Sequence, residues 1–434
     1  MFWRLCRQNI HNKRSFFEIF RFPTGGGCMV SWSSRRKALT VLFFIGPTLL
    51  GILLFSVYPI LLSTYVSFTN RNKFRPNPDC SVPLTGLLEP LCWPQFRDRA
   101  PAGLGSPYGL QDPVFKNYTD LLGAMFTPAA LGSMLLIALC FLPLIAAWLL
   151  NKRFAKLPAP PVSGSALWWG GLGLSLVLAF ALNIGAAYNA LMDTGDFVVV
   201  VGRTIIFVVA RVPLSFVLGL TFALILNSEH LPGRTFFRIA LFIPWAASSL
   251  GILMALIWQF FFREQGTINQ VLNIFGLTGM AWLKDPVTAF MAVVLVDTWF
   301  SYPFFMITIL GALQSVPHDV YEAADLDGAS WWQQLTRITL PLVRPAVLPA
   351  TVLTSITAFQ MFGTAWAITQ GGPIQAVGKP GATEFVIVYA FKQIFQTQNY
   401  GRATAFAVIL FIFLFAVTLY SLRMTKITKG AYES

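Results

Sequence analysis

Charge is what this sequence has least of: only 11% of its 434 residues are Asp, Glu, Lys or Arg, against about a quarter in soluble domains. Its three His and five Cys show no metal-ligand spacing, so nothing marks a metal centre. No Gly-x4-Gly-Lys-Ser/Thr phosphate loop occurs, which leaves any nucleotide chemistry to another chain. No cluster of His, Cys or carboxylates marks an enzyme. No short-period repeat is visible, which excludes a solenoid. The net charge of +13 comes without a basic patch interleaved with surface aromatics, so nucleic acid is not the expected partner.

What is present is apolar. Hydrophobic residues make up 56% of the chain, with 40 Phe and 13 Trp. Runs long enough for a helix to cross the hydrocarbon core, about 20 residues, recur along most of the length. They predict eight spans at 38-68, 129-150, 166-188, 198-226, 236-262, 287-313, 345-370 and 402-423. The fold class is therefore an all-α, polytopic transmembrane helical bundle with lipid as its solvent. Pro47, Pro59, Pro213, Pro244 and Pro303 fall in or near these runs, where neighbouring helices or a polar cavity can satisfy freed carbonyls.

The cations fall between the runs and set the expected orientation. Arg4, Arg7, Lys13, Arg14, Arg21, Arg35, Arg36 and Lys37 precede the first span; Lys152, Arg153 and Lys156 follow the second; Arg423, Lys426 and Lys429 end the chain. These sides are expected in the cytoplasm, and an even span count puts both termini there. The first run lacks a small-residue cleavage pattern and reads as a retained span rather than a signal peptide. The reading divides the chain into a basic segment 1-37, spans one to three over 38-197, a core over 198-423 and a tail 424-434. Segment 69-128, rich in Pro and Gly, falls outside the membrane on the oxidising side. Its Cys80 and Cys92 are either disulfide-bonded or two free thiols, and spacing does not choose between them.

A polar segment, 314-344, separates spans six and seven. Pro317 ends the preceding span, Asp319 is placed to cap a short helix, Glu322 three residues later to complete a capping box, and Gly328 to turn the chain. Ala323 and Ala324 would let another surface come close. The alternative is an ordinary capped interfacial helix in which Glu322 only satisfies backbone donors.

Glu322-Ala323-Ala324, three residues, Gly328, nine residues, Ile338, one residue, Leu340-Pro341: this spacing resembles at every specified position the EAA loop of ABC importer permeases. Lys116-Asn117-Tyr118-Thr119-Asp120-Leu121-Leu122 resembles the NYxxLL segment of the carbohydrate, maltose-type branch of that family. Leu231 to Arg238 resembles its first core cytoplasmic loop, and Thr369-Gln370-Gly371-Gly372-Pro373 its TxGGP turn. The likeness covers most of residues 198-434 and implies a type I ABC importer permease core.

It further implies that Glu322, Ala323, Ala324, Asp325, Gly328, Ile338, Leu340 and Pro341 couple the chain to an ATP-hydrolysing subunit, with Glu322 as the ionic contact. Implied partners are a second permease subunit, a dimer of ABC ATPases that uses ATP and Mg, and an extracytoplasmic solute-binding protein delivering a sugar at the inner membrane. This chain would bind no cofactor and catalyse nothing itself. Relative to a six-span sugar permease, spans two and three are extra, and where the maltose-type subunit has a large external domain only residues 189-197 stand.

The polar face of span seven, with Thr351, Thr354, Ser355, Thr357, Gln360 and Thr364, either faces a solute or bonds back to its own helix. Matched by the Gly-Gly-Pro turn, Thr354, Thr357, Ala358 and Met361 stand where the maltose-type family lines its sugar path with Ser, Phe, Asn and Asn. Arg211 and Asp297 lie mid-span and are expected to face the bundle interior, as a static ion pair or in gating. An importer of a non-sugar solute is the nearest rival. A secondary transporter would show inverted repeats or carboxylates in broken helices, and Asp297 is the only acid well inside a span.

Overall fold

The computed structural model describes residues 34–96, 106–154, 162–228 and 231–425. The cations at 4–21, Lys156, Lys426 and Lys429, and the thiol of Cys28, lie outside the described residues. Among the described residues there are helices and three isolated β-bridges but no strand. Eight helical stretches among the described residues are long and apolar enough to cross a membrane. The chain divides into two compact units, Met1–Leu61 and Leu62–Ser434.

The first unit contributes helix α1 (Ser34–Ile52), a π-turn at Leu53–Val57 and the first residues of α2 (Tyr58–Ser67). Phe43, Phe44 and Phe55 are exposed, as suits a helix solvated by hydrocarbon. The π-turn, with Tyr58 N–H donating to Leu53 O, stands immediately ahead of Pro59. A proline ring clashes with the carbonyl four residues back, and one wide turn relieves the crowding.

The second unit holds the remaining spans. After α2 comes a covering segment with α3 (Pro83–Leu88) and α4 (Lys116–Met125). Cys80 and Cys92 are bonded to each other. Buried Glu89 pairs with Arg71 at 2.9 Å and accepts from the Tyr108 hydroxyl, while Arg71 also lies over the Tyr108 ring. Burial and then Glu89 push the Tyr108 hydroxyl well above its ordinary range, so it stays a donor. Asn117 donates to the carbonyls of Ser67 and Thr69 at 2.8 and 2.9 Å, which accounts for an Asn in the first turn of α4.

Helices α5 (Pro128–Phe154) and α6 (Gly164–Ala181) form a hairpin in which Gly171 lies against Ala147 and the Pro143 carbonyl. The third span stops at Ala181, short of the expected 188, because Asn183 turns left-handed at φ 47° and caps a separate α7 (Ile184–Thr194).

The centre is the pair α8 (Asp196–Asn227) and α12 (Pro286–Gln314). Between them in sequence lie α9 (Arg234–Ala247), α10 (Gly251–Phe261) and α11 (Thr267–Ile274). Helix α12 is the most enclosed of the spans, with 72% of its apolar window buried. A Cβ on Gly219 of α8 would stand 2.9 Å from Met306 N and from the Tyr302 carbonyl. Only a glycine permits that approach, the small-residue packing on which membrane helices depend. Ser215 and Ser301 hydroxyls join the same two helices at 2.7 Å.

Span seven departs most from expectation. Its helix begins at Trp331, as α14 (Trp331–Gln334), a π-turn (Leu335–Thr339) and α15 (Leu340–Phe359), not at 345. The π-turn precedes Pro341 as the first one precedes Pro59. The helix ends at Phe359, not 370; the chain breaks at 360–362 and resumes as α16 (Gly363–Thr369). Gln370 and Gly371 then turn with φ of 52° and 82° before a cis Gly372–Pro373 bond. Helices α17 (Val386–Thr397) and α18 (Tyr400–Thr425) complete the unit. Arg203 donates to the Pro380 and Gly381 carbonyls, and Lys379 reaches Asp196, fixing the turn after α16 to the start of α8.

Candidate functional site

Two regions carry functional geometry. The first is α13 (Asp319–Leu326), between spans six and seven. It begins one residue earlier than the sequence suggests: His318 is the capping residue and makes no side-chain cap, so Asp319 and Glu322 form no capping box. The box forms instead at Ser330 and Gln333, ahead of α14. Glu322 is thereby released from any capping duty. It is 70% exposed, with His318 Nδ1 at 3.7 Å.

The other expectations for this segment divide. Gly328 has φ +71°, and the turn is a full Schellman motif. Ala329 N–H donates to Ala324 O at 2.9 Å and Gly328 N–H to Asp325 O at 3.0 Å. Ala323 is exposed, but Ala324 is buried against its own chain and is not part of an outward surface. Asp325 accepts from Gln334 Nε2 at 2.6 Å, which ties α13 to α14. Ile338, Leu340 and Pro341 lie within the span-seven helix and not in a loop. They set how α13 is carried rather than what it touches. Leu326, 90% exposed, was not singled out from the sequence, although an apolar residue one before the acidic Asp327 and the turn was legible there.

The second region is an open cavity of about 730 Å³ lined by residues of α8, α9, α10, α12, α15 and α16 and of the breaks between them. Of the four residues expected on the solute path, Thr354, Thr357 and Met361 line this cavity; Ala358 does not, being fully buried in the hydrophobic core. The hydroxyls of span seven largely bond back to their own helix: Thr351 to Val347 O, Thr354 to Ala350 O, Ser355 to Thr351 O and Thr357 to Thr354 O.

Arg211 and Asp297 face the interior and meet through Arg211 Nε and Asp297 Oδ2. Arg211 also donates to the Thr354 carbonyl at 3.2 Å. Both line the cavity. The wall that sequence reasoning missed is in span five, where Trp245, Ser248, Ser249 and Gly251 face the space. Its signal was present as Pro244 followed by Ser248-Ser249-Leu250-Gly251: the helix stops at Ala247 and gives way to a 3-10 turn at Ser248–Leu250. Interrupted helix inside a membrane is tolerated where it lines a cavity.

The sequence model of the family described as "Binding-protein-dependent transport system inner membrane component" matches residues 215–426. That stretch contains α13 and most of the cavity wall. The trehalose/maltose transport system permease protein MalF of Thermococcus litoralis is 36% identical over 224 residues, 51% of this chain and 72% of that one. A probable ABC transporter permease protein of Brucella suis is 35% identical over 246 residues, 56% of this chain and 82% of that one. A chain of a bacterial ABC transporter involved in the import of the acidic polysaccharide alginate is similar in structure with TM-score 0.47 and 21% identity. That similarity covers 73% of this chain and 100% of the other.

Proposed function

Because the chain belongs to the family of binding-protein-dependent transport system inner membrane components, we propose that it is the permease subunit of an ABC importer for a carbohydrate. The chain is a multi-pass membrane protein with eight apolar spans among its described residues, and the trehalose/maltose name of its Thermococcus relative supports a sugar as cargo.

The observation that carries the coupling role is α13. A short helix outside the spans presents Glu322 to solvent and ends on a left-handed Gly328. Glu322 has no backbone donor to satisfy, so its carboxylate is available to a cation on a partner. That partner is an ATPase dimer using ATP and Mg, and a second permease subunit completes the membrane core. ATP-driven closure of the dimer moves α13. Through the Asp325–Gln334 contact and the continuous helix 331–359 it moves the wall of the cavity. Alternating access follows: the cavity opens outward to a loaded solute-binding protein, then inward. In this reading α13 and both termini are cytoplasmic, and the Cys80–Cys92 segment is external. Thr354, Thr357 and Met361 line the path.

The test is purification of the tagged full chain from its native membrane. An ATPase and a second EAA-bearing permease should co-elute. A chain that elutes without an ATPase under conditions that preserve other membrane complexes would contradict the reading.

A further inference from the structure

The geometry points to a second role for the Arg211–Asp297 pair: it is the charge-selecting solute contact of the cavity, and it restricts the cavity to uncharged polyhydroxylated solutes. This deepens the carbohydrate-importer reading and rests on it.

Two buried opposite charges in a low-dielectric setting seldom repay their desolvation, and apolar residues hold helices together as well or better. Spans four and six do not need the pair for contact. Gly219 already brings their backbones together, and Ser215 bonds Ser301. Yet both charged side chains lie on the wall of the cavity.

The donors on that wall point the same way. The hydroxyls of Ser248, Ser301, Thr354 and Thr357 donate to nearby backbone carbonyls, and that of Thr364 bonds the Asp297 carboxylate. Arg211 meets Asp297 with Nε and the Thr354 carbonyl with one terminal nitrogen, and a guanidinium carries five N–H groups. It is therefore the richest donor facing the cavity, beside a carboxylate with acceptor capacity. A sugar hydroxyl is both donor and acceptor, and the pair offers it both while summing to zero charge. An anionic solute would have no net positive charge to meet. Trp245 and Phe300, on the same wall, supply apolar faces for a sugar ring.

The experiment uses the full chain with its co-eluting partners in lipid nanodiscs and reads binding by calorimetry. The neutral probes are maltose, trehalose, cellobiose and lactose; the anionic probe is digalacturonate. The wild type should bind at least one neutral probe and not digalacturonate. Asp297→Asn, which leaves Arg211 uncompensated, should lose roughly tenfold or more in neutral affinity, the scale of a hydrogen bond to a charged group, and gain digalacturonate binding. Should that variant fail to assemble, Arg211→Met/Asp297→Leu carries the test, since it leaves no lone charge. It should assemble and lose roughly tenfold or more in neutral affinity. Wild-type affinity in that double variant would make the pair purely structural and overturn the inference, leaving the importer reading intact. Binding of digalacturonate by the wild type would also overturn it. A wild type that binds no probe would sink the carbohydrate reading and this inference together.

Discussion

Glu322 separates two accounts of one side chain. Had it closed a capping box, Glu322→Gln would be nearly harmless, since Gln serves at the same position. The structure gives it no capping bond and leaves it exposed. The variant should therefore insert and fold like the wild type, yet lose about 2–5 kcal/mol of binding to the proposed ATPase partner, the cost of leaving an interfacial cation there unpaired. Co-elution of the ATPase, titrated with salt, measures it; undiminished binding would mean that Glu322 does not face the partner. Gly219 makes a contrasting case. Gly219→Ala places a methyl carbon 2.9 Å from backbone atoms of α12 that cannot move aside, and overpacking of this kind costs about 1–3 kcal/mol. Thermal unfolding in detergent should show the loss, with binding of the ATPase to the surviving fraction unchanged.

At the scale of elements, what was legible followed from periodicity and spacing, and what was not followed from local competition between caps. The existence of all eight spans was visible because each needs a long apolar run. The true start of α13 was not, because Asp319 with Glu322 and Ser330 with Gln333 both read as capping boxes, and only the second forms. The extent of span seven was misjudged for a related reason. Pro341 reads as a helix stop, but the π-turn at Leu335–Thr339 lets the helix run through it. The turn at Gly328 is legible in the sequence, since a Schellman turn requires a positive φ that glycine alone adopts freely. Gly328→Val should accordingly leave the eight spans inserted and unwind the end of α13. ATPase activity would then no longer be stimulated by solute, measured in proteoliposomes. Stimulation equal to the wild type would show that the turn transmits nothing.

For the whole molecule, orientation is the claim on which the partner assignments rest, and it came from cations that mostly lie outside the described residues. The cavity was half legible. Its span-seven wall was found from the polar run before Gly371, while its span-five wall was hidden in a run that reads as uniformly apolar until the helix breaks at Ser248. Orientation can be checked without any of this. After reduction of the Cys80–Cys92 bond, an impermeant maleimide applied to intact cells should label those two thiols and spare Cys28. Labelling of Cys28 before lysis would invert the topology and move α13 away from any cytoplasmic ATPase. Sugar uptake by the purified complex in proteoliposomes, with the proposed solute-binding protein on the side of the Cys80–Cys92 segment and ATP on the side of α13, tests the importer reading as a whole. Uptake should require ATP on the α13 side and disappear in Glu322→Gln; uptake driven by an ion gradient without ATP would contradict an ATP-driven importer.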